Sequence, residues 1–388
     1  MANESRALAV TGIGMVSPLG LDVVTSCAAA RAGLLRTVEL DDVRAYDADA
    51  EAEVPVVAHQ VPFLSAGLFG VGRLLQIALG ALDDLRRGYT PPSERPVGLV
   101  LALRSDQHRT TWLARLAHAP ELVQDEPDLA LSGVALAAHR KRLAGGLLAQ
   151  IVEHGRVPAA PAARRTILAD QVGIVSAFEQ AAAWLADGTC DSCWVGGVDS
   201  YLDPPTLQAL AGLGLLRTPD NPGGSMPGEL GCFLALENPA RAARQRRKIW
   251  ATIDGFGQVG NASDRLGEAS PTPEALVRAI ADLTLDPRSG AAAGPRPGML
   301  AVNLNGDMVR AAEWGNVLVR LCAQGFDGHT PVWIPPLHFG EIGSATGPAA
   351  IAMLARGWAR GYAPSAHALV CLMDDGPARA AIAVNAVT

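Results

Sequence analysis

Apolar residues along the chain fall into two alternating patterns. Short uninterrupted runs closed by glycine or proline read as buried strands. Longer stretches with apolar positions three and four apart read as amphipathic helices. The run Ala7–Gly14 leads into the turn Ser17-Pro18-Leu19-Gly20 and a helix from about Asp22. Further along, Arg73–Arg87 and Leu129–Ile151 carry helical spacing, and Val97–Leu103 is a buried strand. Ile167–Ser200 reads as a loop, a helix and another buried strand. Trp250–Gly257 repeats the form of the opening run, a strand and then Gly-x-Gly, which is an internal echo. After it come a helix from Pro273 to about Leu285, with Thr272 as N-cap and Glu274 as a first-turn acid, and a strand at Gly298–Asn303. Helices follow at Glu313–Ala323 and Gly347–Arg360, and the chain closes on an apolar hairpin, Ala368–Met373 with Ala378–Val387. The Pro- and Ala-rich stretches Val157–Ala163 and Ala291–Pro297 read as loops. Strands alternating with helices, twice over, predict an α/β protein with two related mixed sheets.

At 388 residues the chain exceeds the usual single core, which suits two core units or an internal duplication. With 49% hydrophobic and 18% charged residues, much surface should be buried, including an oligomer interface. A net charge of −7 argues against nucleic acid or anionic lipid as partners. The six cysteines fall mostly inside apolar runs and read as reduced core thiols. The first apolar run is too short for a signal peptide, and no stretch reaches the length of a membrane span. The expectation is a soluble, cytoplasmic protein.

The junction Ala169-Asp170-Gln171-Val172-Gly173 stands where a strand hands over to a helix start. Such junctions often mount a nucleophile, because the helix N-terminus supplies N–H donors and positive potential. Gln171 is neither nucleophile nor base. No motif calls for a cofactor or a metal: Cys190-x-x-Cys193 lacks the second pair of a zinc site. Asp307 caps a helix start, and Arg310 and Glu313 stand at the i,i+3 spacing of an ion pair.

Several segments carry a family likeness. ALAVTGIGMVSPLG (7–20) resembles the opening of the β-ketoacyl synthases of the thiolase superfamily. ADGTCDSCWVGGVDS (186–200), GLGLLRT (212–218), residues 227–257 and GSATGPAAI (343–351) match successive family segments in order, over nearly the whole chain. The resemblance implies a five-layered αβαβα fold of two pseudo-symmetric halves, expected at 1–245 and 246–388, and a dimer formed mainly through the N-terminal half. It also places the Cys190–Cys193 pair where a helix ends and a core strand begins.

Chemistry in that family needs a cysteine that takes the acyl chain as a thioester and two histidines that stabilise the carbonyl and enolate. Counted back from Gly196-Gly197, the cysteine position falls on Gln171. The first histidine position falls on Asn305 and the second, after Gly340, on Glu341. All three working side chains differ. His338 is the nearest substitute imidazole, Arg104, Ser105, His108, Phe339 and Gly340 fall in the pocket and dimer region, and Glu229 matches a structural glutamate.

Three readings follow. The first is a catalytically degenerate subunit resembling the chain-length factors, which also carry glutamine for cysteine. It would pair with a cysteine-bearing ketosynthase and meet an acyl carrier protein, for which the basic run Arg241–Lys248 is the candidate surface. The second is an acyltransferase or hydrolase that uses Glu341 or His338 as base and Asn305 as oxyanion donor. The third is a homodimeric acyl-binding scaffold.

Overall fold

The structure, a computed structural model of the chain, describes residues 7–47, 49–118, 138–267, 269–285 and 296–387. Its twelve strands are β1 (Leu8–Val16), β2 (Val38–Asp47), β3 (Ala52–Ala58), β4 (Val97–Leu103), β5 (Ala159–Leu168), β6 (Cys193–Ser200), β7 (Glu229–Glu237), β8 (Ala251–Gly260), β9 (Met299–Val302), β10 (Val332–Trp333), β11 (His367–Met373) and β12 (Ala378–Asn385). β2 and β3 form a separate hairpin, and the other ten make one sheet in the order β10-β9-β11-β12-β8-β1-β7-β6-β4-β5.

That order is a duplication. Leaving out the hairpin, the first half runs β5-β4-β6-β7-β1 and the second β10-β9-β11-β12-β8, which is strand order 3-2-4-5-1 in each. Directions agree as well. The second strand of each half lies parallel to its third and fourth, and the fifth runs antiparallel to the fourth and the first. The echo between residues 7–14 and 250–257 is therefore between β1 and β8, the first strands of the two halves. These strands also pair with each other, Ala9 opposite Thr252, so the two expected sheets are joined into one.

Helices fill three layers around the two half-sheets. The helices Gly173–Ala186 and Thr346–Ala359 share a core with β1, β6, β8 and β11, and 12 residues of the second are buried. Gly70–Gly88 and Leu148–His154 cover the outer face of the first half, and Glu274–Thr284 and Met308–Ala323 that of the second. This is the five-layered thiolase-like arrangement. A helix that is apolar on all sides belongs in such a middle layer.

Three local readings are corrected. Val157–Ala163 is not a loop: β5 begins at Ala159 and carries Pro161, which is tolerated because β5 is the edge of the sheet. The helix after Pro271 begins at Glu274 with Pro273 in the cap position, and Thr272 does not cap it. Of Leu129–Ile151, residues 129–137 lie outside the described residues; beyond them the helix widens into a π-type turn at Arg142–Leu147, around Gly145-Gly146, before Leu148.

One glycine fixes how the site's loop sits on the sheet. A Cβ on Gly197 of β6 would lie 2.3 Å from the Ser344 carbonyl oxygen and 2.8 Å from the Ala345 Cα, both backbone. Gly257 of β8 has nothing within 4 Å. Gly197→Ala is expected to cost about 3 kcal/mol in denaturant unfolding, and Gly257→Ala less than about 0.5 kcal/mol. Equal costs would remove the close approach of β6 and the 343–345 turn as the cause.

Candidate functional site

The carboxyl ends of the parallel strands in both halves meet at one buried polar cluster. In each half the chain passes from the second strand out to the third and returns on the other side as the fourth. That switch point is where α/β sheets leave a crevice. Arg104 follows β4, Asp170 and Gln171 follow β5, and Asp199 ends β6. In the second half Asn303 and Asn305 follow β9, Glu341 follows β10 and its short helix Pro335–Phe339, and Asp374 and Asp375 follow β11.

Gln171 and Asn305, two sequence-distant candidates, both contact the third, Glu341. Glu341 is 2% exposed. One of its carboxylate oxygens accepts from Gln171 Nε2 and from the Gly343 N–H, each at 3.0 Å. The other accepts from Asn305 Nδ2 at 2.6 Å and from Arg310 Nη1 at 3.1 Å. Gln171 spends its own carbonyl on Asn303 Nδ2. Asn303 is clamped in turn by the Met373 carbonyl at 2.8 Å and the Met373 N–H at 3.0 Å. The loop that carries Glu341 is equally constrained: its N–H donates to the Met226 carbonyl, and its carbonyl accepts from the Gly228 N–H. Gly340 has φ +74°, and a Cβ there would press on the Met226 and Pro227 carbonyls. Phe339 beside it is fully buried in the core.

Arg310 connects this centre to His108. Its second nitrogen donates to Asp375 at 2.7 Å, and Asp375 meets His108 Nε2 at 2.9 Å. Burial by itself would weaken the hold of Arg310 on its proton, but Asp375 and Glu341 beside it raise its basicity further. Burial likewise works against an ionised Asp375, yet Arg310 and His108 hold that carboxyl far below the usual range. The expected Arg310–Glu313 pair does not form. Glu313 turns to Arg379 in a fully buried two-pronged pair at 2.6 and 2.9 Å, which leaves Arg310 for the centre. Asp307 caps the helix as read, accepting from the Arg310 N–H.

The first half supplies a counterpart. Arg104 Nε lies 3.1 Å from Asp199, and its guanidinium sits 4.3 Å over the Tyr201 ring. Thus an arginine from beyond the second strand pairs with an aspartate at the end of the fourth here, as Arg310 pairs with Asp375 in the other half. Ser105 donates to Asp170 at 2.8 Å, and Asp374 accepts from the Val172 N–H at the start of the helix Gly173–Ala186. Burial pushes the Asp170 carboxyl up to about 6, against the pull of His108, Ser105 and Arg104. Burial also drives Asp374 well up, with Asp170 adding to it.

The remaining candidates fall elsewhere. His338 lines a separate cavity of about 430 Å³ with Cys27, Arg31, Trp333 and Tyr362, and burial lowers its basicity. Glu229 ties loops together, accepting from Val61 N–H, Ser65, Arg73 and Ser200. Cys190 and Cys193 lie together beneath Gly98, buried and away from the cluster, whereas Cys322 is exposed. Much of the basic run is engaged within the chain: Arg241 with Asp191, Arg247 with Glu237 and Lys248 over the Trp250 ring. Among the described residues no helix is long and apolar enough to cross a membrane. Asn303, Asp170, Asp199, Asp374 and Asp375 escaped the sequence reading. The adjacent aspartates between two buried strands were the available signal, and they read as an ordinary turn.

No family model matches the chain, and no curated protein matches it. Solved structures do. A chain of the AntDE:AntF complex, a type II PKS acyl-carrier protein with its ketosynthase bound to the hexaketide, matches at 16% identity and TM-score 0.71, over 98% of this chain and 100% of that one. The ishigamide ketosynthase/chain length factor matches at 18% identity and TM-score 0.67, with the same coverage. The ketosynthase from module 6 of the bacillaene synthase of Bacillus subtilis 168 matches at 13% identity and TM-score 0.68, over 98% of this chain and 72% of that one. The fold is the thiolase-like fold of ketosynthases.

The raised Asp170 makes a signed prediction. The folded state binds its proton more tightly than an unfolded aspartate, whose value is about 3.9. Its contribution to stability is therefore fully present below pH ~4 and is lost as pH rises through about 6. Asp170→Asn cannot ionise and still accepts from Ser105. Its Tm relative to the natural chain should rise between pH 4 and pH 7, and a difference that stays constant or falls contradicts the assignment.

Proposed function

We propose that the protein is a catalytically degenerate ketosynthase-like subunit of the chain-length-factor kind, which pairs with a cysteine-bearing ketosynthase in type II polyketide or related acyl-chain assembly. The observation that carries this reading is the state of Glu341. A carboxylate saturated by four donors stands among the three positions at which the resemblance puts cysteine and two histidines. Gln171 cannot form a thioester. A fixed anion opposite a developing enolate would oppose its charge rather than stabilise it. The neighbouring folds include a ketosynthase/chain length factor and a ketosynthase complexed with its carrier protein, which favours an acyl carrier protein as the further partner.

On this reading the subunit completes a dimer and walls the acyl tunnel of its partner, with halves divided at 245/246. The alternative in which Glu341 acts as a base is disfavoured by the same four donors, since both oxygens are already engaged. His338 as base is disfavoured by its position on a different cavity.

Co-expression with a candidate cysteine-bearing synthase should give a stable heterodimer. The pure chain incubated with acyl- and malonyl-carrier thioesters should gain no acyl mass and release no product by intact mass spectrometry. An obligate homodimer that refuses every such synthase, or turnover abolished by Glu341→Ala, overturns the proposal.

A further inference from the structure

The four donors around Glu341 are a receptor in their own right. They come from four places in the chain: Gln171 before the central helix, Asn305 after β9, Arg310 in the following helix and the Gly343 backbone. Each is held in place by something other than Glu341. Gln171 is fixed through Asn303, and Arg310 through Asp375 at 2.7 Å and the Asn303 carbonyl at 3.0 Å. The side-chain amide oxygen of Asn305 accepts from the Asp307 N–H at 3.1 Å. Gly343 has φ +49°, in a turn packed on Asp199. The donors are therefore preorganised independently of the carboxylate they surround, with one cation and three neutral N–H groups directed at two oxygens.

We propose that these groups form a small-carboxylate binding site, and that Glu341 is its resident ligand, tethered to the site by its own side chain. The centre is then an occupied anion site rather than a worn-down catalytic one. Free carboxylates, including the malonyl type, are excluded because the fourfold cradle is already full. The size of the occupant is defined. Truncation of Glu341 to alanine removes one methylene and the carboxylate, which is the heavy-atom outline of acetate. Truncation to glycine removes one carbon more, the outline of propionate. Of the donor residues, Asn305 is half-buried, and Gly306 beside it is exposed.

This inference stands on the geometry of the centre and holds whether or not a ketosynthase partner exists. Its test uses the full chain alone, so a failed co-expression leaves it untouched. Glu341→Ala should lose roughly 4–6 °C in Tm, because Arg310 and the amides lose their anion inside the protein. Acetate at about 100 mM, at constant ionic strength with chloride as control, should restore several degrees. Glu341→Gly should respond more to propionate than to acetate. The natural chain should respond to neither.

Glu341→Gln fills the same volume and keeps the test readable where the truncations do not fold. It should lose stability, because the amide presents N–H groups to donors, and it should be indifferent to acetate. Three results overturn the proposal: an acetate shift in Glu341→Ala no larger than in the natural chain, the same rescue by chloride, or a Glu341→Gln chain as stable as the natural one.

Discussion

Charge buried where two halves of a duplicated fold meet has to be paired on the spot, because water cannot reach it and an isolated ion there costs several kcal/mol. In this chain that condition is met by two arginines. Arg310 holds Glu341 and Asp375, and Arg104 holds Asp199. Each arginine comes from the segment after the second strand of its half, and its aspartate from the end of the fourth. The duplicated strand order 3-2-4-5-1 brings those two ends together beside the third-strand loop that carries Gln171 or Glu341. The candidate centre is thus a consequence of topology: the same crevice, formed twice and closed face to face.

The fold was readable from the chain because it rests on repeated, strongly patterned elements. Val97–Leu103 is a strand with the bounds its apolar run predicts, and the terminal hairpin pairs Ala368 with Val384 through Met373 with Arg379. The repeat of β1 in β8 was visible in a few residues. What was not readable was how the repeats join. Three residues of β1 pairing with β8 turn two sheets into one, and no periodicity within a strand announces that. Edge position was equally invisible, so the proline in β5 suggested a loop.

The centre was half legible. Gln171, Asn305 and Glu341 were singled out through the family resemblance, and the structure brings Gln171 and Asn305 onto the Glu341 carboxylate across as many as 170 residues of chain. Their partners were missed for a physical reason. Local spacing assigned Arg310 to Glu313, and i,i+3 geometry on an exposed helix is worth a few tenths of a kcal/mol. A fully buried arginine is governed by long-range charges instead. Arg379 on the neighbouring strand takes Glu313 in two hydrogen bonds, and Arg310 is left facing inward toward two carboxylates. Helical arithmetic cannot rank those alternatives, because the deciding partners arrive from other elements.

The mutual dependence of these side chains limits what can stand at each position. Glutamine at 171 supplies one of the donors that Glu341 needs. Glu341 neutralises Arg310, and Arg310 shares its charge with Asp375, which His108 also contacts. A cysteine at position 171 alone would take a donor from Glu341 and set a thiol beside a carboxylate. A nearby anion raises a thiol's pKa, so even with the helix N-terminus behind it the sulfur would be held protonated and unreactive. A histidine at 341 alone would leave Arg310 with one carboxylate fewer and place a second cationic group against it whenever the imidazole is protonated. Each single change is therefore opposed by the neighbouring members of the cluster. A centre of this kind is a self-consistent packing of the crevice, and it is held by pairing among its own side chains.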